Sequence, residues 1–254
     1  MNLLKALLIA LSTYSVIPVP QFEWDEGNMK YAICFLPAVG VICGGALAVW
    51  YVFCLTWGCS GILFACVAAC LPLLITGGIH MDGYMDTVDA LASHQTRERK
   101  LEIMKDPNCG AFAVIYCGVY LLLSVGLFYE LYISGCIFYA CPVFVLSRSL
   151  AALCAVTMPN ARKAGMLRAY TEYAERRNAT VAMLLTAAVG SVVMVLLSPG
   201  LGCVAILAAV AALFGYRWMA IKQFGGVTGD TSGFFLQSCE MCCMAGIWLG
   251  GRLI

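Results

Sequence analysis

The sequence predicts an all-α membrane protein, a polytopic helix bundle of about seven transmembrane helices with a possible extra interfacial helix at its N-terminus. Two observations carry most of that expectation. Hydrophobic residues make up 62% of the 254 residues and charged residues only 11%, less than half the roughly 25% charge of soluble domains. Residues 31–79 contain no Asp, Glu, Lys, Arg or His, and a spanning helix needs about 20 apolar residues, so this stretch has room for two spans.

Taken in order, residues 1–18 carry one lysine and an apolar run but no small-residue cleavage site before the chain turns polar. A half-inserted or interfacial helix is expected there, with an extra span as the alternative. The run 31–79 then supplies the first two spans, reversing near residues 55–61. Further apolar stretches follow at 109–129, 131–156, 179–197, 201–216 and 234–250. No fixed repeat period or long linker divides the chain, so residues 1–254 read as a single integral-membrane domain.

Three longer polar segments, 80–108, 157–178 and 217–233, follow the second, fourth and sixth of these stretches and must share one side. They hold Arg97, Arg99, Lys100, Lys105, Arg162, Lys163, Arg168, Arg176, Arg177, Arg217 and Lys222, whereas the short opposite turns hold no Lys or Arg. The positive-inside rule makes the polar side cytoplasmic. A formal net charge of +1 removes the basic balance that duplex binding needs, so nucleic acid is not expected as a partner. The fifteen cysteines lie mostly in apolar runs and are expected as reduced packing residues, Cys239 and Cys242 included.

The chemistry concentrates after the second span, where carboxylates recur at Asp82, Asp86 and Asp89. On a helix the spacing i, i+4, i+7 puts all three within a narrow arc. Three like charges at a membrane boundary repel unless a cation sits among them, and an all-oxygen donor set selects a hard ion. Mg²⁺, which takes one or two carboxylates plus substrate phosphates, is the expected cofactor. The bland alternative is a solvated acidic face paired with Arg97, Arg99 or Lys100.

Around that triad lie further candidates. His80 is a candidate proton acceptor or phosphate contact, the alternative being a plain interfacial histidine. Lys105 and Asp106 stand before the third span, beside Gly110, where a cation suits phosphate and a carboxylate suits metal or simply caps the helix. Arg148, a lone charge inside an apolar stretch, is expected to face inward onto a phosphate or a carboxylate. Glu130 is expected to reach the far interface, and Glu240 to pair across the bundle. Thr228, Gly229, Asp230 and Thr231 belong to a glycine-rich segment whose backbone could approach phosphate oxygens, or could merely reverse the chain.

Four motifs, in order, resemble those of the cobalamin synthase family, membrane enzymes also called adenosylcobinamide-GDP ribazoletransferases. They are Thr13-Tyr-Ser-Val-Ile-Pro-Val-Pro20 with Phe35-Leu-Pro-Ala-Val-Gly40, Gly77-Gly-Ile-His-Met-Asp-Gly-Tyr-Met-Asp-Thr-Val-Asp89, Leu101-Glu-Ile-Met-Lys-Asp-Pro-Asn-Cys-Gly-Ala-Phe112, and Gly225-Gly-Val-Thr-Gly-Asp-Thr-Ser-Gly233. Cys109, Ser232 and Gly233 depart from the small or aliphatic residues expected at those positions, which bears on fine substrate preference alone.

The resemblance implies a Mg²⁺-dependent transfer of the cobinamide phosphoryl group of adenosylcobinamide-GDP to α-ribazole or its 5′-phosphate, with GMP leaving. By the same resemblance Asp82 and Asp86 would bind Mg²⁺ across the diphosphate, and Asp89 would complete the shell or act through water. His80, Asp106 or Asp230 would accept the acceptor's proton, while Lys105 and Arg148 would offset the charge of the departing GMP. Gly110, Thr228, Gly229 and Thr231 would line the substrate. The expected partners are these small molecules, the lipid bilayer of the cell membrane and, through the spans, further copies of the chain. Rival readings are a CDP-alcohol phosphotransferase, a prenyltransferase with aspartate-rich helices, or a transporter, which would carry ionisable groups near the bilayer midplane.

Overall fold

The computed structural model describes residues 3–253, and within them the regular structure is helical apart from an isolated bridge between Asn160 and Val227. The helices are α1 (Leu3–Tyr14), α2 (Glu26–Met29), α3 (Leu36–Trp57), α4 (Gly61–Thr76), α5 (Ile79–Ala92), α6 (Arg97–Ile103) and α7 (Ala111–Ile133). They continue as α8 (Ile137–Ala140), α9 (Val143–Thr157), α10 (Met166–Glu172), α11 (Arg176–Leu197), α12 (Pro199–Phe224) and α13 (Gly229–Leu253). The all-α polytopic bundle expected from the sequence is what forms.

Local chemistry sets the ends of these helices. Ser60 and Ser198 accept hydrogen bonds from the N–H groups of Leu63 and Leu201, satisfying donors that the first turns of α4 and α12 leave free. Leu122, Leu196, Val49 and Phe214 stay exposed on α7, α11, α3 and α12, the pattern of a surface that meets lipid tails. At the centre lies α9, buried along almost its whole length against α3, α11 and α13.

The spans differ in number from the expected seven. Among the described residues, five helical segments are long and apolar enough to cross a membrane: Gly27–Trp57, Ala111–Ile133, Ile137–Thr157, Arg176–Leu197 and Pro199–Phe224. A sixth is reached if α4 and α5, bent by 96° at their junction, count as one. The apolar run 31–79 concealed this break, because composition does not register the two glycines that end α4. The last helix, α13, is 25 residues long, but Asp230, Gln237 and Glu240 place it outside the apolar set. The N-terminal α1 has 12 residues, about 18 Å of helix, too short for a hydrocarbon core of about 30 Å. Its Tyr14 packs on His80 of α5.

The three polar segments do gather at one end of the bundle. Arg97 donates to the carbonyls of Ile221 and Lys222, Lys100 reaches Gln223 at 2.6 Å, and Arg162 meets Asp230. At the other end Glu130 holds Arg252 at 2.6 Å and accepts from the Trp248 indole N–H at 3.0 Å, the far-side position expected of it. The fifteen cysteines are free thiols.

Candidate active site

Two glycines start the site. Gly77 and Gly78 take φ values of +62° and +78°, a left-handed pair that ends α4 and turns the chain sharply into α5. His80 and Asp82 therefore sit on the first turn of a new helix rather than at the tail of a span. α5 then presses closely on α13, with one glycine from each helix at the approach. A Cβ on Gly83 would lie 2.8 Å from the Asp230 backbone, and one on Gly233 would lie 2.7 Å from the His80 carbonyl oxygen. This close approach brings Asp82 and Asp230 to one cavity of about 210 Å³.

A third element completes the wall. The Val227 N–H donates to the Pro159 carbonyl at 2.8 Å and the Ala161 N–H donates back to Val227 at 2.9 Å, tying the segment after α9 to the one before α13. Arg162 is carried by that tie to Asp230, at 2.8 Å, and both line the cavity with Asn160, Thr228 and Gly229. Thr228 and Thr231 cap α13 reciprocally: the Thr228 N–H donates to Thr231 Oγ1 at 2.9 Å and the Thr231 N–H to Thr228 Oγ1 at 3.1 Å. Thr231 is fully buried and is spent on this cap, whereas Thr228 and Gly229 reach the cavity. Of the glycine-rich segment, Gly226 lies against the Pro159 carbonyl and Gly233 against α5, so these serve packing; Gly229 has open space around it.

The aspartate face is real but spread out. Asp86 interacts electrostatically with Asp82, Asp230, Asp89 and Arg162. The Asp89 carboxylate lies against Gly110, at the start of α7, where no Cβ would fit. Residues seven apart share an arc but lie about 10 Å apart along the axis, so Asp82 and Asp89 address different neighbours. The alternative pairing with basic residues of α6 does not form. Arg97 and Lys100 turn to the end of α12, and Arg99 pairs with Glu102 at 2.8 Å.

Lys105, Asp106, Gly110 and Arg148, all expected substrate contacts, do not line the cavity. Lys105 and Asp106 are exposed, and the Asp106 carboxylate accepts from both the backbone N–H and the side-chain amide of Asn108, at 2.9 and 2.8 Å. Those bonds hold its carboxyl below the usual carboxylate range. Arg148 is 1% exposed and ion-paired with Glu240 at 2.6 Å, with Ser147 donating to the same carboxylate oxygen at 2.9 Å. Of the alternatives open to it, Arg148 has the carboxylate, and Glu240 pairs across the bundle as expected.

Arg162 lines the cavity, as does Arg168, yet the sequence did not single it out as a site candidate. It counted only as one of eleven basic residues on the polar side, and nothing adjacent to it in the chain marks it. Its signal is the partner it meets on α13.

The donor set suits a hard cation. Among the described residues no three His, Cys, Asp or Glu side chains gather as a preformed cage. Mg²⁺ does not require one, since it takes one or two carboxylates and fills its octahedron with water and phosphate oxygens. Asp82 on the cavity wall and Asp86 one turn further along α5, within electrostatic reach of Asp82 and Asp230, fit that demand.

Comparisons with known proteins converge on one family. Residues 6–248 match the family described as cobalamin-5-phosphate synthase. A protein of Lachnoclostridium phytofermentans named adenosylcobinamide-GDP ribazoletransferase is 42% identical over 247 residues, covering 97% of this chain and 94% of its own. Proteins of the same name from Clostridium botulinum strain Alaska E43 and Geobacillus thermodenitrificans are 30% and 32% identical, each covering at least 94% of both chains. No solved structure matches this chain. The family match, which spans nearly the whole chain, sets aside the CDP-alcohol, prenyl and transport readings.

Proposed function

The chain belongs to the cobalamin-5-phosphate synthase family, and from that premise we propose that it transfers the adenosylcobinamide phosphoryl group from adenosylcobinamide-GDP to α-ribazole or its 5′-phosphate. The observation that supports this reading best is the cavity at which Asp82 and Asp230, from helices far apart in sequence, meet Arg162. A diphosphate needs cationic and hydrogen-bonding partners, and a nucleophilic hydroxyl needs a proton acceptor; this cavity offers both.

In the proposed reaction the acceptor hydroxyl oxygen attacks the phosphorus joined to cobinamide. The bond from that phosphorus to the bridging oxygen breaks, and GMP leaves with the bridging oxygen. Asp230, which lines the cavity, accepts the hydroxyl proton. Arg162 donates to the phosphate oxygens and offsets the charge that builds on the leaving group. Asp82 and Asp86 would hold Mg²⁺, which when bound neutralises diphosphate charge. Thr228 and Gly229 border the same space at the start of α13, where N–H groups favour anions. The Arg148–Glu240 pair holds α9 to α13 behind the cavity rather than touching substrate. The site faces the cytoplasm, a reading supported by the basic residues gathered at that end.

The test is direct. Protein reconstituted in liposomes is given adenosylcobinamide-GDP, α-ribazole and Mg²⁺, and adenosylcobalamin and GMP are measured with and without EDTA. Equal amounts of both products, lost on chelation, are expected. No product from folded protein would overturn the proposal, and product formation unaffected by EDTA would overturn its metal component.

A further inference from the structure

Besides its charged residues the cavity has an apolar part of its lining that phosphate chemistry does not use. Ala151, Ala152 and Ala155 line it from α9, at positions where the helix is buried and any longer side chain would fill the space. Tyr14 of α1 and His80 of α5 line it as well, their rings 6.1 Å apart and within 18° of parallel. Tyr14 is itself braced by Tyr170, at a ring distance of 5.4 Å, and the Tyr170 hydroxyl donates to Thr13, so the aromatic pair is held in place.

His80 carries the second observation. It is 7% exposed, and its Nε2 is buried with no hydrogen-bond partner. A buried nitrogen left unpaired is costly, and such groups in native proteins usually await a ligand or a water. Small apolar side chains, a fixed pair of near-parallel rings and one unpaired ring nitrogen together describe a site for a flat heteroaromatic ring with a free ring nitrogen.

Resting on the function proposed above, we infer that this apolar part of the lining binds the planar heteroaromatic base of the acceptor nucleoside. His80 Nε2–H donates to the free ring nitrogen of the base, and the three alanines set how large a base is admitted. The nucleoside's sugar then points toward Asp230 on the cavity wall. His80 is in this assignment a base-recognising contact, not the group that takes the proton.

The experiment uses the full chain in liposomes, saturating donor and two acceptor ribosides, one with a bicyclic benzimidazole and one with a single imidazole ring. Ala155→Leu is expected to raise KM for the bicyclic acceptor by about tenfold or more, to affect the single-ring acceptor less, and to leave the donor KM within about twofold. Equal losses with both acceptors, or a raised donor KM with the acceptor KM unchanged, overturn the assignment. Should Ala155→Leu fail to fold, His80→Gln is read by calorimetry with the benzimidazole riboside alone. Binding to the wild type that weakens about tenfold in His80→Gln supports the site, and unchanged binding overturns it. Failure of the proposed function itself is distinguishable, because the wild type would then release no GMP with either acceptor.

Discussion

Arg162 and Asp230 form a 2.8 Å ion pair on the wall of the cavity, with side chains 19% and 23% exposed. Each arrives on a different segment, joined through the short backbone bridge between Asn160 and Val227. The pair sits between full burial and free solvent, where a guanidinium can exchange one anionic partner for another. In the reaction proposed above a substrate phosphate would be such a partner, which would release Asp230 to act as a base.

Replacing Arg162 by Gln is expected to raise the donor KM by roughly 10- to 100-fold, the range of one charge-assisted contact to phosphate. Arg162→Lys should recover part of the loss, since the charge returns without the fork geometry. Steady-state kinetics with donor varied at fixed acceptor checks both, and an unchanged donor KM in Arg162→Gln contradicts the role.

Asn in place of Asp82 or Asp86 removes one ligand charge while preserving side-chain size. Turnover should fall by at least about 100-fold for each, with the protein still folded, if the two hold a catalytic cation. Raising Mg²⁺ should rescue the weaker of the two in part. Near wild-type rates in either variant would remove that residue from the metal site.

The pair between Arg148 and Glu240 predicts a stability effect. Both side chains are almost wholly buried, at 1% and 3% exposure, so removing one partner leaves an uncompensated charge inside the bundle. Glu240→Gln or Arg148→Met alone should destabilise by about 3–5 kcal/mol, and the double variant by less than the sum. Thermal unfolding in detergent reads the cycle.

Contact between α5 and α13 depends on two positions without side chains. Gly233→Ala would set a Cβ 2.7 Å from the His80 carbonyl oxygen, and Gly83→Ala one 2.8 Å from the Asp230 backbone. Each should cost about 1–3 kcal/mol as the helices separate, and activity should fall because Asp82 and Asp230 move apart. Alanine at Gly229, which has no atom nearby, serves as the comparison in unfolding measurements, where it should cost less than either.

The turn before α7 has its own pH signature. Asn108 holds the Asp106 carboxyl below the usual carboxylate range. The stabilisation from this turn is therefore fully present above the ordinary aspartate pKa and is lost as pH falls through the depressed value. NMR titration of labelled aspartates should find Asp106 ionised at acidities where an ordinary aspartate is protonated, and Asn108→Ala should return it toward the usual range.

The all-α membrane class is legible in the chain alone, because long apolar runs are local and the bilayer demands them. The candidate carboxylates Asp82, Asp86 and Asp230 were legible too, because they fall in segments that alternate with apolar runs. Family motifs were legible for the same reason, being contiguous. Tertiary structure decided the rest. The apolar run 31–79 concealed a 96° turn at Gly77 and Gly78, since glycine's left-handed backbone is invisible to hydropathy. The Asp89 carboxylate lies against Gly110, a neighbour on another segment that the helical arc alone does not reveal. Arg148, conspicuous as a lone charge, was neutralised by Glu240, 92 residues away, whereas Arg162, inconspicuous in a basic loop, lines the cavity and pairs with Asp230 there. A charge inside a membrane bundle takes whichever opposite charge packing brings near, and packing joins helices that the chain keeps far apart.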